Sequence, residues 1–138
     1  MRHVTLSDYS RTTTAANHGI ANTTNETQIQ NFECLFSLIL DPLQDCIVHP
    51  IYITSGFRTP RLNRLVGGSK TSAHMQGLAA DFIVGDEDFL LDWAWCLLKS
   101  PSKGFRQKID QCIYYRDIRF IHVALPVNGK ARGQFWME

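Results

Sequence analysis

Apolar and polar positions run along this chain in two rhythms. Between residues 29 and 43, Ile29, Phe32, Leu35, Phe36, Ile39, Leu40 and Leu43 recur at three- and four-residue steps, which places them on one stripe of a helix. Asn25 or Thr24 supplies its N-cap, and Pro42 marks where it must end or kink. A second helix starts at Asp86 and turns Phe89, Leu90, Trp93, Cys96 and Leu97 inward. A short helix opens at Thr59-Pro60 and closes at Gly67-Gly68. The other rhythm is that of strands. Pro50 to Thr54 is short and β-branched, and Ser55-Gly56 breaks it. Leu78 to Val84 is a strand, with Ser69 to Gly77 as the loop before it. Lys108–Tyr115 and Arg119–Leu125 pair as a hairpin around Arg116-Asp117-Ile118. Asn128-Gly129 predicts a further turn, leading to a final strand through Phe135. Residues 1–25 are polar and read as an irregular arm. The prediction is one α+β domain over residues 1–138, a small antiparallel sheet with helices packed on one side.

A length of 138 residues allows a core without staples. A net charge of +1 argues against a general nucleic-acid binder, and no apolar run reaches the ~20 residues of a membrane span. The first residues lack the apolar stretch of a signal peptide, so synthesis in the cytosol is expected. None of Cys34, Cys46, Cys96 and Cys112 forms a C-x-x-C pair, and buried reduced thiols are the expectation.

The candidate chemistry lies in polar residues set among apolar ones. Asp81 falls inside Leu78-Ala79-Ala80-Asp81-Phe82-Ile83-Val84, where a carboxylate is costly unless it is paired or metal-bound. His122 falls inside Arg119-Phe120-Ile121-His122-Val123-Ala124, and His74 lies in the loop before the Asp81 strand. Alone, Asp81 fits a turn cap or an arginine partner equally well, and His122 fits a satisfied core histidine. Together they offer three ligands for a tetrahedral zinc on the sheet, with the fourth position open. His3, His18 and His49 lack such partners and read as surface or capping residues.

The run from Ser72 to Asp81, Ser-x-His-x-x-Gly-x-Ala-x-Asp, resembles the zinc D-alanyl-D-alanine carboxypeptidase and murein endopeptidase family. Ser55-Gly56-Phe57-Arg58, Asn63, Val66-Gly67-Gly68, Asp110-Gln111 and the strand ending in His122 extend the likeness, as do Thr14-Ala15-Ala16 and Gly19-Ile20-Ala21-Asn22. The nearest likeness is to small single-domain versions often encoded by bacteriophages. The resemblance implies one Zn2+ per chain held by His74, Asp81 and His122, with Arg58 and Ser72 facing the substrate. It implies a zinc metallopeptidase of D,D-carboxypeptidase or L,D-/D,D-endopeptidase type, which hydrolyses an amide beside a D-amino acid in the peptidoglycan stem peptide. A phage-type endolysin fits, monomeric and held in the host cytoplasm until it reaches the cell wall at lysis.

One part of the family pattern is replaced. The general base commonly lies three residues before the last histidine ligand, and Arg119 stands there. Some small relatives carry a Glu after the Asp-Gln-x-Ile segment, and Tyr115 takes that place. Asp117, the acid between Ile113 and His122, is the candidate base, or else an ordinary turn aspartate. Asp110 reads as support for the fold. These departures favour an alternative, a zinc-binding recognition module of the hedgehog type that binds peptidoglycan or a protein partner.

Overall fold

A computed structural model describes residues 6–138 of the chain; His3 lies outside them. Its centre is a five-stranded sheet in the order β1-β2-β4-β3-β5, with β1 Ile51–Ser55, β2 Ala79–Val84, β3 Gln111–Tyr115, β4 Phe120–Ala124 and β5 Gln134–Met137. β1 to β4 pair antiparallel, as expected. The final strand joins the edge of β3 in parallel, so the sheet is mixed. Ala80, Phe82, Ile121, Val123, Cys112 and Tyr114 point to a buried face, as period-two alternation demands. The class is α+β.

Three helical stretches cover that face. α3 (Glu26–Leu35) runs through a π turn at Phe36–Leu40 into α4 (Asp41–Ile47), and, beyond the short α5 (Pro60–Leu65) that Thr59 caps, α6 (Asp88–Lys99) packs on α4, β2 and β4. Asn25 caps α3 in a capping box: its side chain accepts from Gln28 N while the Gln28 side chain accepts from Asn25 N. Pro42 does not end the helix. It sits in the first turn of α4, where a missing N–H costs little, and the wider π turn before it absorbs the ring. The expected stripe of α3 and α4 is buried, with Ile29 packed at its margin. α6 differs. Phe89, Trp93 and Cys96 are exposed, and Leu90, Leu91, Ala94, Trp95, Leu97 and Leu98 form the inner face. Residues 89–98 are apolar nearly all round except Asp92, so two rival stripes were possible and packing chose the second.

The N-terminal arm departs from the irregular reading. α1 (Leu6–Ser10) and α2 (Thr13–Asn17) are short helices, each too brief to show a period. Tyr9 anchors α1. Its fully buried ring stacks on Phe32 at 4.8 Å and meets Phe36 edge-on at 5.8 Å, and its hydroxyl donates to Ala79 O. Cys112 is buried as expected, whereas Cys34, Cys46 and Cys96 are exposed; all four are free.

Candidate metal centre

The other face of the sheet carries the polar residues. A register shift in β1 between Ile53 and Ser55 sets Ser55 opposite Asp81. Asp81 lies opposite His122, and His122 opposite Ile113, so one row crosses four strands. After β1 the chain runs beside the His74 turn, where Arg58 N donates to His74 O.

His74 comes from a single 3-10 turn, Ala73–Gln76, whose N-cap Ser72 accepts from His74 N through its hydroxyl. Gly77 ends the turn at φ +74° and comes so close to the Gln28 carbonyl that a Cβ would lie 2.5 Å from its oxygen. His74 is buried, and its Nδ1 lies 2.6 Å from Gly56 O. A backbone carbonyl can only accept, so Nδ1 carries the proton and Nε2 is left as the free lone pair. Nε2 points at Asp81 Oδ1, 3.2 Å away, and His122 Nδ1 approaches the same oxygen at 2.8 Å. One donor atom from each residue falls within 4.8 Å of the others. Bonds of 2.0–2.1 Å to a tetrahedral ion would put ligand atoms about 3.3 Å apart, beside the 3.2 and 2.8 Å from the two imidazole nitrogens to Asp81 Oδ1. Two imidazole nitrogens and one carboxylate oxygen therefore form a ready metal cluster with an open side.

Charge around Asp81 is arranged to keep it ionised. Burial works to raise its carboxyl, but the two imidazoles that face it, His122 and His74, outweigh it and hold the group well below the usual carboxylate range. Arg58 Nη2 adds a cation 3.8 Å from Oδ2. That guanidinium is tightly held: Nε and Nη2 donate to Ser55 Oγ, and Nη1 donates to Asn63 Oδ1. Burial lowers its pKa, with Asp81 and Tyr9 opposing.

These groups line a cleft of about 560 Å3 shared by Arg58, Ser72, Asp110, Tyr115, Phe120 and Arg132, among others. The sequence-predicted residues separate here. His74, Asp81, His122, Arg58 and Ser72 converge in the cleft. Asp117 is exposed in the β3–β4 turn, outside the cleft-lining set. Arg119 takes φ 62° in the same turn and pairs with Asp88 at the start of α6. Asp110 is gripped by Arg132, which donates to both carboxylate oxygens from its side chain and to Oδ1 from its backbone N–H.

Over residues 2–124 the chain matches the family model described as peptidase M15. It belongs to the peptidase M15 family. No curated protein matches it. As an M15 peptidase the chain is a metallopeptidase of a zinc-enzyme family, and the His74–Asp81–His122 cluster is where its described residues offer a metal site. The M15 match ends at the last residue of β4, so Arg132 and β5 lie beyond it.

Two supports escaped the sequence reading. The Gly56 carbonyl fixes the His74 ring, yet a backbone oxygen leaves no residue-type signal beyond the glycine itself. A Cβ on Gly56 would lie 2.0 Å from Tyr9 O, so the close approach requires glycine there. Asn22 ties the arm to the site: its amide donates to Ser10 O and Phe57 O, and its oxygen accepts from Thr59 N. The stretch Gly19 to Asn22 carried that signal only through the family likeness.

Proposed function

We propose that this chain is a zinc peptidase that hydrolyses an amide bond beside a D-amino acid in the peptidoglycan stem peptide, with His74 Nε2, Asp81 Oδ1 and His122 Nδ1 as ligands. The observation that carries the reading is the convergence of those three atoms, with the tautomer of His74 fixed by Gly56, at the floor of an open cleft. The donor set suits zinc: mixed nitrogen and oxygen ligands with a free position are the mark of catalytic sites, whereas structural sites favour closed thiolate sets. Zinc held there supplies a Lewis acid and an activated water at neutral pH.

The remaining chemistry belongs to the protein. Asp81 is held ionised by its neighbours and needs no proton loss to act as a ligand. Arg58 keeps a fixed cation at the cleft wall, suited to a substrate carboxylate such as those on stem peptides. Ser72 presents a hydroxyl on the same wall while its oxygen holds the His74 turn. No described helix is long and apolar enough to cross a membrane. A lytic enzyme of phage type, released to the wall from the host cytoplasm, is the role proposed.

The second reading, a recognition module of weak or no activity, is favoured by one observation. Among the described residues the cleft-lining carboxylates are Asp81 and Asp110, and both are engaged. Digestion of purified muropeptides by zinc-loaded protein, read by mass spectrometry beside His122→Ala, separates the two. Defined cleavage lost in the variant supports the peptidase; one bound zinc per chain without cleavage supports the module.

A further inference from the structure

The cleft contains a tyrosine whose hydroxyl no described residue engages. Tyr115 ends β3 on the site-bearing face and lines the cleft. Its ring stacks on Phe120, the residue opposite it on β4, with centroids 4.5 Å apart and planes 18° apart. Among the described residues its hydroxyl has no hydrogen-bond partner. Such a phenol usually finds one when it is partly buried.

Sheet order gives its position relative to the metal centre. His122 is two residues beyond Phe120 on β4, which makes it the diagonal neighbour of Tyr115. Diagonal cross-strand neighbours are about 7–8 Å apart, within reach of an aromatic side chain. The ligands Asp81 and His122 occupy β2 and β4; Arg58 follows β1 on one side, and Tyr115 lies on β3 on the other. An amide carbonyl seated over the ligands would thus have Arg58 on one flank and Tyr115 on the opposite one. Three of the five N–H groups of the Arg58 guanidinium already donate to Ser55 or Asn63, whereas the Tyr115 hydroxyl has no partner among the described residues.

We propose that the Tyr115 hydroxyl donates a hydrogen bond to the carbonyl oxygen of the scissile amide as that oxygen gains negative charge. The proposal rests on the peptidase reading above. No proton changes hands: the phenol keeps its hydrogen and offers it to an oxygen that accepts more strongly in the transition state than in the substrate. Burial, then the carboxylates of Glu138 and Asp81, push the phenol above its ordinary value, so it is protonated at neutral pH and suited to donating rather than to acting as a base.

The test compares wild type with Tyr115→Phe as zinc-loaded full chains. The variant keeps the ring and its stacking on Phe120 and removes only the hydroxyl. A defined muropeptide substrate, a phosphinate isostere of its scissile bond and the hydrolysis product are the probes, and metal content is measured in parallel. The expected result is a fall in kcat on the order of 10²-fold, with KM within about threefold. Phosphinate affinity falls by a comparable factor, while product affinity and zinc stoichiometry stay as in the wild type. A variant with wild-type kcat and phosphinate affinity, or one whose phosphinate and product affinities fall together, overturns the role of Tyr115. A wild-type protein that loads zinc but cleaves no stem peptide overturns the peptidase reading and with it the Tyr115 role that rests on it, whereas an active wild type beside an unaffected variant overturns the role of Tyr115 alone.

Discussion

The two ends of the cleft-facing β4 strand are built differently. Around His122 the candidate ligands hold one another: Asp81 lies between two imidazoles and a guanidinium, and His74 is pinned by a backbone carbonyl. Three residues earlier, Arg119 turns out of the cleft at φ 62° to meet Asp88, and Asp117 faces solvent. The end that would hold the metal is over-determined, while the end where the family resemblance places a proton-transferring carboxylate is not. Holding a metal requires several convergent atoms at fixed distances. Handling a proton or a developing charge requires one well-placed group, and Arg119 stands where the family resemblance places it.

Removal of the metal probes this difference most severely. Chelation, or His122→Ala, should abolish muropeptide cleavage while far-ultraviolet circular dichroism keeps its helical signal, because the ligands sit on a sheet already paired through its backbone. Collapse of the fold on chelation would mean that the centre is structural.

Gly56→Ala strikes the support rather than a ligand. Its Cβ would overlap Tyr9 O, so the strand end must shift and take the carbonyl away from His74 Nδ1. Zinc affinity should fall by roughly 10–100-fold, as for other losses of a ligand's hydrogen-bond partner, and stability by about 1–3 kcal/mol from overpacking. Competition with a fluorescent chelator and urea unfolding read the two effects. Unchanged affinity would show that His74 holds its orientation without Gly56.

At the far wall, Arg132→Ala should remove a pH-dependent contribution. Hydrogen bonds from Arg132, against the opposing effect of burial, hold Asp110 below its ordinary carboxylate range. A depressed folded pKa means that the stabilisation is fully present above the unfolded value near 3.9 and is lost as pH falls through the folded one. The advantage of wild type over Arg132→Ala should be constant at neutral pH and shrink below about pH 4, as read by thermal denaturation across pH. An advantage that grows on acidification would contradict the assignment.

The smallest effect is expected at the turn. Asp117→Ala should leave kcat within about threefold of wild type, far from the ~10²–10⁴ that a general base contributes. A loss in that larger range would restore Asp117 as the base and show that the turn folds over the cleft in the substrate complex.

Legibility in the sequence followed the kind of signal each residue left. The α3–α4 stripe and the Asn25 cap could be read because period and capping chemistry are local. Asp81 and His122 stood out because ionisable groups inside apolar strands are rare and costly. The inner face of α6 could not be read, since nearly every residue from Phe89 to Leu98 is apolar and no stripe is unique. Tyr9 was missed because its partners, Phe32, Phe36 and Ala79, are tertiary contacts from a five-residue helix. The parallel pairing of β5 was hidden because alternation gives a strand its faces but not its direction.

The row Ser55–Asp81–His122 also has a consequence for biosynthesis. Its members are spread along the chain, and the last lies on β4, which pairs with both β2 and β3. A ribosome must release most of the polypeptide before the third ligand exists. Before that, the nascent protein would offer a metal two of the candidate ligands at most. All three candidate ligands come together only once the hairpin that closes the sheet has formed, and the same event would make a bound ion hard to lose.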